Sequence, residues 1–140
     1  MAIFHCPIQI IKRSIGKSAV AAAAYRSGER LTNEWDGMTH DYTHKGGIVH
    51  TEIMLPSHAP PEFQDRSTLW NSVEQIEKSR DAQLAREIEV ALPAELTPAQ
   101  QLALVRSFVK DNFVDAGMCA DFAIHDKGTG NPHAHILLTI

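Results

Sequence analysis

The chain has 140 residues, of which 44% are hydrophobic and 21% charged, and its 17 acidic and 13 basic side chains give a formal net charge of −4. This length fits one domain with its own core, and the composition excludes disordered, collagen-like and disulfide-stapled chains. The apolar runs are too short to span a membrane, and the first residues lack a secretory signal, so we expect a cytoplasmic protein. In that compartment, Cys6 and Cys119 are expected to be buried free thiols.

The first half of the chain predicts a strand, a short helix, a turn-rich segment and a second strand. Their expected ranges are 3–11, 18–27, 29–47 and 48–55. Ser18 is suited to cap the helix and Gly28 to end it. Within the turn-rich segment, Trp35 and Tyr42 are candidates for stacking on unpaired bases.

The second half predicts two helices and three strands. An amphipathic helix is expected over 67–80 and an alternating strand over 87–92. A capping box over 97–100 begins the next helix, which Gly117 ends. Strands over 119–125 and 133–139 follow, joined by a Gly/Asn/Pro-rich hairpin connection. Because several strands adjoin one another without crossover helices, the order predicts an α+β fold, an antiparallel sheet of about five strands with helices packed on it.

The charge is distributed unevenly along the chain. The first 30 residues carry five basic side chains against one acidic, a net +4, whereas the remaining 110 carry eight against sixteen, a net −8. The acidic total argues against a nucleic-acid partner, but a basic segment creates a local field that suits a phosphate backbone. The candidate DNA-binding residues are Lys12, Arg13, Lys17 and Arg26.

Three histidines give the strongest chemical signal. His133 and His135 are two residues apart on a predicted strand and leave the same face, and the hairpin would place His125 beside them. Three imidazoles can bind one divalent ion and leave positions open for substrate. Imidazole suits zinc, nickel, copper, cobalt and manganese, and carboxylate or phosphate would complete a sphere acceptable to magnesium. Cys119 is a candidate fourth ligand, although a buried thiol is the simpler expectation.

Two acidic residues and one tyrosine complete the candidate chemistry. Glu87 and Glu89 share one face of their strand, where a carboxylate can orient a metal-bound histidine, or the face is merely solvated. Tyr25 follows a run of alanines and could act as a nucleophile beside a cation, although a core tyrosine is the simpler reading of the pattern. The sequence GKS at 16–18 resembles the end of a phosphate-binding loop for nucleotide triphosphates. That motif needs a glycine at position 11, where this chain has Ile11, so the sequence does not predict such a loop.

Three stretches carry a resemblance across nearly the whole chain. They are the opening strand with KRSIGKSAVAAAAYRSGERL, then LWNSVEQIEKSRDAQLAREIEVALPAEL, then IHDKGTGNPHAHILLT. In this order and spacing they resemble the MobA/MobL family of plasmid mobilisation relaxases, within the His-hydrophobe-His (HUH) endonuclease superfamily. The resemblance implies a bacterial enzyme that nicks and rejoins single-stranded DNA at an origin of transfer.

The resemblance also implies roles for the residues singled out above. Tyr25 matches the nucleophile that forms a 5′-phosphotyrosyl link and frees a 3′-hydroxyl. The metal-ligand positions match His125, His133 and His135, and the supporting acid matches Glu87 or Glu89. One divalent ion is implied, Mn²⁺ or Mg²⁺ as the functional ion with Zn²⁺, Ni²⁺ or Co²⁺ as alternatives, and no nucleotide cofactor.

The implied partners are single-stranded or hairpin DNA, accessory relaxosome proteins and a secretion coupling protein. Family relaxases continue past the second histidine strand, so residues 1–140 are expected to form one nuclease domain at the N-terminus of a longer protein. The alternatives are a rolling-circle replication initiator or transposase of the same superfamily, a non-cutting DNA-binding module with a structural metal, and a small metal-binding protein without a DNA partner. The segment AREIEVALP favours the relaxase over the initiator and the transposase.

Overall fold

A computed structural model describes residues 7–140 of the chain. The seven strands among these residues are β1 (Ile8–Lys12), β2 (Arg30–Thr32), β3 (Thr39–Asp41), β4 (Ile48–Met54), β5 (Gln83–Ala91), β6 (Ala120–His125) and β7 (His133–Leu138). The three α-helices are α1 (Ala19–Ser27), α2 (Arg66–Ile76) and α3 (Pro98–Val109). Short 3-10 turns cover Arg13–Ile15 and Pro61–Gln64, and a π-helical turn over Lys110–Val114 extends α3.

Five strands form one sheet in the order β1-β5-β7-β6-β4, and every neighbouring pair is antiparallel. The two remaining strands, β2 and β3, form a separate hairpin. The predicted α+β class with a five-stranded antiparallel sheet is confirmed. None of the helices in residues 7–140 combines the length and the apolar character that a membrane crossing requires.

Successive side chains of β5 point to opposite faces of the sheet, and the two faces pack against different helices. Ile88 and Val90 join the core beneath α3, together with Phe122, Ile136 and Val105. The opposite face packs against α1 and α2, and its core includes the large buried side chains of Leu69 and Trp70. Glu87 and Glu89 point to this second face, so the helices α1 and α2 cover the side of the sheet that carries the polar residues.

The caps confirm three predicted helix ends, namely the start and end of α1 and the start of α3. The Ser18 side chain accepts a hydrogen bond from the amide of Ala21 at 2.9 Å, and Thr97 and Gln100 form the reciprocal capping box. Gly28 ends α1 with a φ of +71°, and a side chain there would meet Ile48, since an added Cβ would lie 2.5 Å from its Cδ1. The glycine therefore lets α1 turn sharply against β4.

At two places the element boundaries differ from the sequence prediction by four residues. Helix α2 ends at Ile76 rather than at residue 80, because Arg13 binds the carbonyl oxygens of Glu74, Glu77 and Ser79 and turns the chain away from the helix. Strand β5 begins at Gln83, four residues earlier than predicted, because β1 pairs with it from Gln83 onward. The expected strand over 3–11 lies partly outside the described residues, as does Cys6.

Cys119 is buried, as expected, and burial raises the pKa of its thiol. Its backbone amide donates to Thr139 Oγ1 at 3.0 Å, just before β6 begins. His125 is the last residue of the same strand. The two residues lie at opposite ends of β6, so the suggestion of Cys119 as a fourth ligand beside His125 was wrong.

Candidate functional site

Strand register brings the three histidines together at one end of the sheet. His125 on β6 and His133 on β7 are direct cross-strand partners, and His135 follows two residues later on the same face. The ring centroids of His125 and His135 are 4.5 Å apart, and those of His133 and His135 are 6.5 Å apart. The hairpin connection thus forms a cluster of imidazoles.

The protonation of His125 follows from its hydrogen bond. Its Nε2 lies 2.8 Å from the carbonyl oxygen of Arg26, which can only accept, so Nε2 carries the proton. Burial lowers the pKa of His125, which favours the neutral ring. In this tautomer Nδ1 keeps a free lone pair, the form in which an imidazole binds a metal.

His135 is the most perturbed group of the cluster. Burial, followed by the positive charge of Arg26, lowers its pKa to about 3. Its ring is therefore neutral at physiological pH, and Nδ1 is buried without a hydrogen-bond partner among the described residues. A buried nitrogen of this kind is costly unless something binds it.

The two glutamates of β5 have different surroundings. Glu89 is the cross-strand partner of His135 and is partly exposed, with its carboxylate oxygens 3.7 Å from His135 Nδ1 and 3.9 Å from His133 Nε2. Glu87 is buried and forms an ion pair with Arg26. Glu89 thus faces the imidazoles, whereas Glu87 holds the arginine that follows Tyr25.

Tyr25 lies in the last turns of α1 with 42% of its surface exposed, so the core-tyrosine interpretation was wrong. Its ring meets the edge of Tyr42 at a centroid distance of 5.1 Å. The Arg26 guanidinium lies 4.8 Å from the ring centroid and Lys45 Nζ lies 3.5 Å from it. The phenol therefore sits in a positively charged environment.

These side chains line one open cavity of about 340 Å³. Its lining includes Tyr25, Arg26 and Lys45 together with the three histidines and Glu89. Lys127, Thr129 and Asn131 of the β6–β7 connection complete the lining. The cavity thus combines a phenol, three imidazoles, a carboxylate and cations.

Comparison with known proteins identifies the relatives of this chain. The model of the MobA/MobL family matches residues 17–140. The chain belongs to the MobA/MobL family. The resemblance of the three sequence stretches is thereby confirmed over most of the chain.

Named relatives agree with this family. The chain is 43% identical to the conjugal transfer protein TraA of Rhizobium radiobacter over all of its own length and 14% of the relative's. It is 40% identical to the mobilization protein MobL of Acidithiobacillus ferridurans, covering 99% of this chain and 43% of that protein. The chain thus spans less than half the length of either curated relative.

A solved structure shares the fold closely. Its title is "Molecular Basis of Vancomycin Resistance Transfer in Staphylococcus aureus", and it matches with a TM-score of 0.92 and 35% sequence identity. The match covers 99% of this chain and 70% of that one. The two proteins therefore share the arrangement of helices and strands.

Among the cavity residues of this MobA/MobL domain that the sequence prediction missed are two lysines. Lys45 and Lys127 are single lysines in turn-rich segments, and nothing in their spacing relates them to Tyr25 or the histidines. Gly47 brings their loops together, with its carbonyl oxygen accepting from the amide of Asp126 at 2.8 Å. Only this loop contact reveals that both lysines face one cavity.

The predicted basic residues divide between two places. Arg13 forms an ion pair with Glu74 at 3.0 Å and stacks on Trp35 at 3.8 Å from the ring centroid, away from the histidine cavity. Its guanidinium is occupied by protein groups, and the same contact holds Trp35. Lys17 lies in a groove that also includes Tyr25 and Arg26, and Lys12 ends β1.

No group of three or more His, Cys, Asp and Glu side chains within residues 7–140 is arranged to hold a metal ion as the side chains stand. The donor chemistry nevertheless suits one, since His125 and His135 are neutral, His135 Nδ1 is unsatisfied, and Glu89 supplies negative charge beside two rings. These residues fit a divalent ion after reorientation of their rings.

Proposed function

We propose that this domain is the nuclease of a mobilisation relaxase, which cuts and rejoins single-stranded DNA with Tyr25 as nucleophile. The observation that carries the proposal is the shared cavity, in which the Tyr25 side chain faces three imidazoles and several cations. The names of the relatives, conjugal transfer and mobilization proteins, support a role in plasmid mobilisation. They also favour a relaxase over a replication initiator or transposase.

A divalent metal ion is part of this proposal, since relaxases of this family generally use one. We assign His125, His133 and His135 as its ligands and Glu89 as the supporting acid, with Mn²⁺ or Mg²⁺ as the functional ion and Zn²⁺, Ni²⁺ or Co²⁺ as alternatives. When bound, the ion would polarise the non-bridging oxygens of the scissile phosphate.

The proposed chemistry exchanges one phosphodiester for another. The Tyr25 phenol gives up its proton and its oxygen forms a bond to phosphorus, while the bond from phosphorus to the 3′-oxygen breaks and that oxygen takes up a proton. The products are a 5′-phosphotyrosyl link and a free 3′-hydroxyl. Because the number and type of bonds are conserved, the reverse reaction rejoins the strand without a nucleotide cofactor.

Charge supports DNA as the partner. Arg26, Lys45 and Lys127 surround the cavity and Lys17 lies in the adjoining groove, so a phosphate backbone can pass Tyr25 along a line of cations. Arg26 stays in place because Glu87 pairs with it from beneath. The proposed substrate is single-stranded or hairpin DNA at an origin of transfer, with relaxosome and secretion proteins as further partners in the bacterial cytoplasm.

The test is capture of a covalent protein–DNA adduct. The protein is incubated with a library of single-stranded oligonucleotides and Mn²⁺ or Mg²⁺, and DNA that stays attached after denaturation is recovered and sequenced. We expect a shared cleavage sequence, retained in Tyr42→Phe and lost in Tyr25→Phe. An adduct that persists in Tyr25→Phe would overturn the proposed nucleophile. DNA binding without any adduct would identify a non-cutting module, and no DNA binding would identify a metal-binding protein.

A further inference from the structure

Lys45 contacts Tyr25 at two points. Its ammonium lies 3.5 Å from the centroid of the Tyr25 ring and donates a hydrogen bond to the Tyr25 carbonyl oxygen at 2.8 Å. The two contacts hold one cation against both the ring and the backbone of the residue assigned as nucleophile. An ammonium over an aromatic face is attracted by the electron density of the ring.

Local structure fixes Lys45 in this position. The Lys45 amide donates to the Tyr42 carbonyl oxygen at 3.0 Å and closes a turn, while the Tyr42 amide donates to the Glu29 carbonyl oxygen at 3.1 Å, just beyond α1. Asp41 caps the same turn by accepting from the amide of Thr43 at 3.0 Å. The turn is thus tied to the end of the helix that carries Tyr25.

Arg26 and Lys45 differ in the negative charges that lie beside them. Arg26 shares its charge with the buried carboxylate of Glu87. Within residues 7–140, no carboxylate lies within ion-pair distance of the Lys45 ammonium. Burial lowers the pKa of Lys45, the positive charges of Arg26 and Lys127 act in the same direction, and the negative charge of Glu87 opposes them. Lys45 is thus a partly buried cation beside the Tyr25 ring.

We propose that Lys45 is a positioning residue for Tyr25, which fixes the ring at the cavity and holds a positive charge beside the phenol as it loses its proton. The inference rests on the proposed function, in which that phenol attacks phosphorus. The attraction between Lys45 and Tyr25 grows as negative charge develops on the phenol, because a cation interacts more strongly with an anion than with a neutral ring. Lys45 therefore favours the reactive form over the resting form.

The kinetic test compares three variants of the full chain. With saturating oligonucleotide and Mn²⁺, Lys45→Met should slow formation of the covalent adduct by about 10-fold or more, a smaller effect than losing a fully buried oxyanion donor because Lys45 is partly exposed. Lys45→Arg should restore the rate to within about fivefold, because it keeps the cation. Lys110→Met removes the same charge from an exposed pair with Asp115 beyond α3 and should leave the rate unchanged. Equal rates in Lys45→Met and the parent would overturn the proposal.

A second measurement needs neither DNA nor metal. The chain has two tyrosines, so in a Tyr42→Phe background the absorbance of ionised tyrosine at 295 nm reports Tyr25 alone. Lys45→Arg keeps its charge at the alkaline pH where tyrosine ionises, so its midpoint should lie below that of Lys45→Met. Lys110→Met should have the midpoint of the parent. Equal midpoints in Lys45→Arg and Lys45→Met overturn the inference, whereas absence of DNA cleavage with separated midpoints overturns only the proposed function.

Discussion

Glu89 and His135 face each other as direct partners on adjacent strands, with Glu89 Oε1 3.7 Å from His135 Nδ1. Two residues earlier on the same strand, Glu87 is buried against Arg26 instead. The sequence places both carboxylates on one face and leaves open which of them supports the histidines. The surroundings of the two side chains support our proposal of that role for Glu89 and of a structural role for Glu87.

Neutralising Glu89 should weaken metal binding without unfolding the protein. Glu89→Gln removes the negative charge beside two imidazoles, and we expect Mn²⁺ affinity to fall by about 10-fold or more. Isothermal titration calorimetry of the parent and the variant measures the change. Because the side chain is partly exposed, the free energy of unfolding should change by less than about 1 kcal/mol.

Glu87→Gln is the matched control for Glu89→Gln. This variant leaves Arg26 without its buried partner, so it should lower the free energy of unfolding by about 1–3 kcal/mol and leave Mn²⁺ affinity within about twofold. Urea unfolding of metal-free protein measures the loss. If Glu87→Gln lost metal affinity and Glu89→Gln did not, the assignment of the two glutamates would be reversed.

The metal-free protein should lose stability on acidification through His135. Burial lowers the His135 pKa from 6.5 to about 3, so between these pH values the unfolded chain binds a proton that the folded protein does not. Stability from this group is therefore complete above pH 6.5 and decreases as the pH falls. This difference in proton binding should lower the free energy of unfolding by about 3 kcal/mol between pH 6.5 and pH 4.

The comparison with His135→Gln isolates this contribution from the titration of the carboxylates. Urea unfolding is measured with a chelator present at several pH values between 4 and 7. The free energy of unfolding of the parent should fall more steeply with decreasing pH than that of the variant. Parallel curves for the two proteins would contradict a neutral buried His135.

Local rules explain which features were predictable from the sequence. The caps at Ser18 and Thr97 depend on residues three positions away, and the alternation of β5 depends on neighbouring residues, so the pattern determines both. The histidine cluster was predictable because one short hairpin aligns His125 with His133. Each of these inferences needs only a few consecutive residues.

The interactions that escaped prediction join distant parts of the chain. Lys45 reaches Tyr25 across 20 residues and Arg13 reaches Glu74 across 61, and no periodic pattern records either contact. Asp121 is another example, since the strand pattern assigns it a face but does not reveal its partners on α2. Such contacts depend on how α1 and α2 pack on the sheet.

Asp121 should be among the most sensitive positions in the core. Its two oxygens accept hydrogen bonds from Arg66 Nε at 2.7 Å, Arg66 Nη2 at 2.8 Å and Trp70 Nε1 at 2.9 Å, and Arg66 also pairs with Glu29. Asp121→Asn leaves the buried guanidinium of Arg66 without its main counter-charge. We expect the free energy of unfolding to fall by about 3–5 kcal/mol.

Lys110→Ala is the comparison for Asp121→Asn, since Lys110 and Asp115 form an exposed ion pair. An exposed ion pair contributes little to stability, so Lys110→Ala should lower the free energy of unfolding by less than about 1 kcal/mol. Urea unfolding of both variants at pH 7 gives the two values. A cost below 1 kcal/mol for Asp121→Asn would show that the buried network does not stabilise the packing of α2 on the sheet.

The basic N-terminal segment should separate into structural and DNA-binding residues. Lys17 lies in the groove beside Tyr25, so Lys17→Glu should weaken binding of single-stranded DNA and make its dependence on salt less steep. Arg13→Ala should instead lower the free energy of unfolding by about 1–3 kcal/mol, because it leaves the buried carboxylate of Glu74 with only the amide of Ala19.

Fluorescence anisotropy of a labelled oligonucleotide at several salt concentrations measures binding. A reduced salt slope in Arg13→Ala together with an unchanged slope in Lys17→Glu would move the DNA path to the Trp35 side of the molecule.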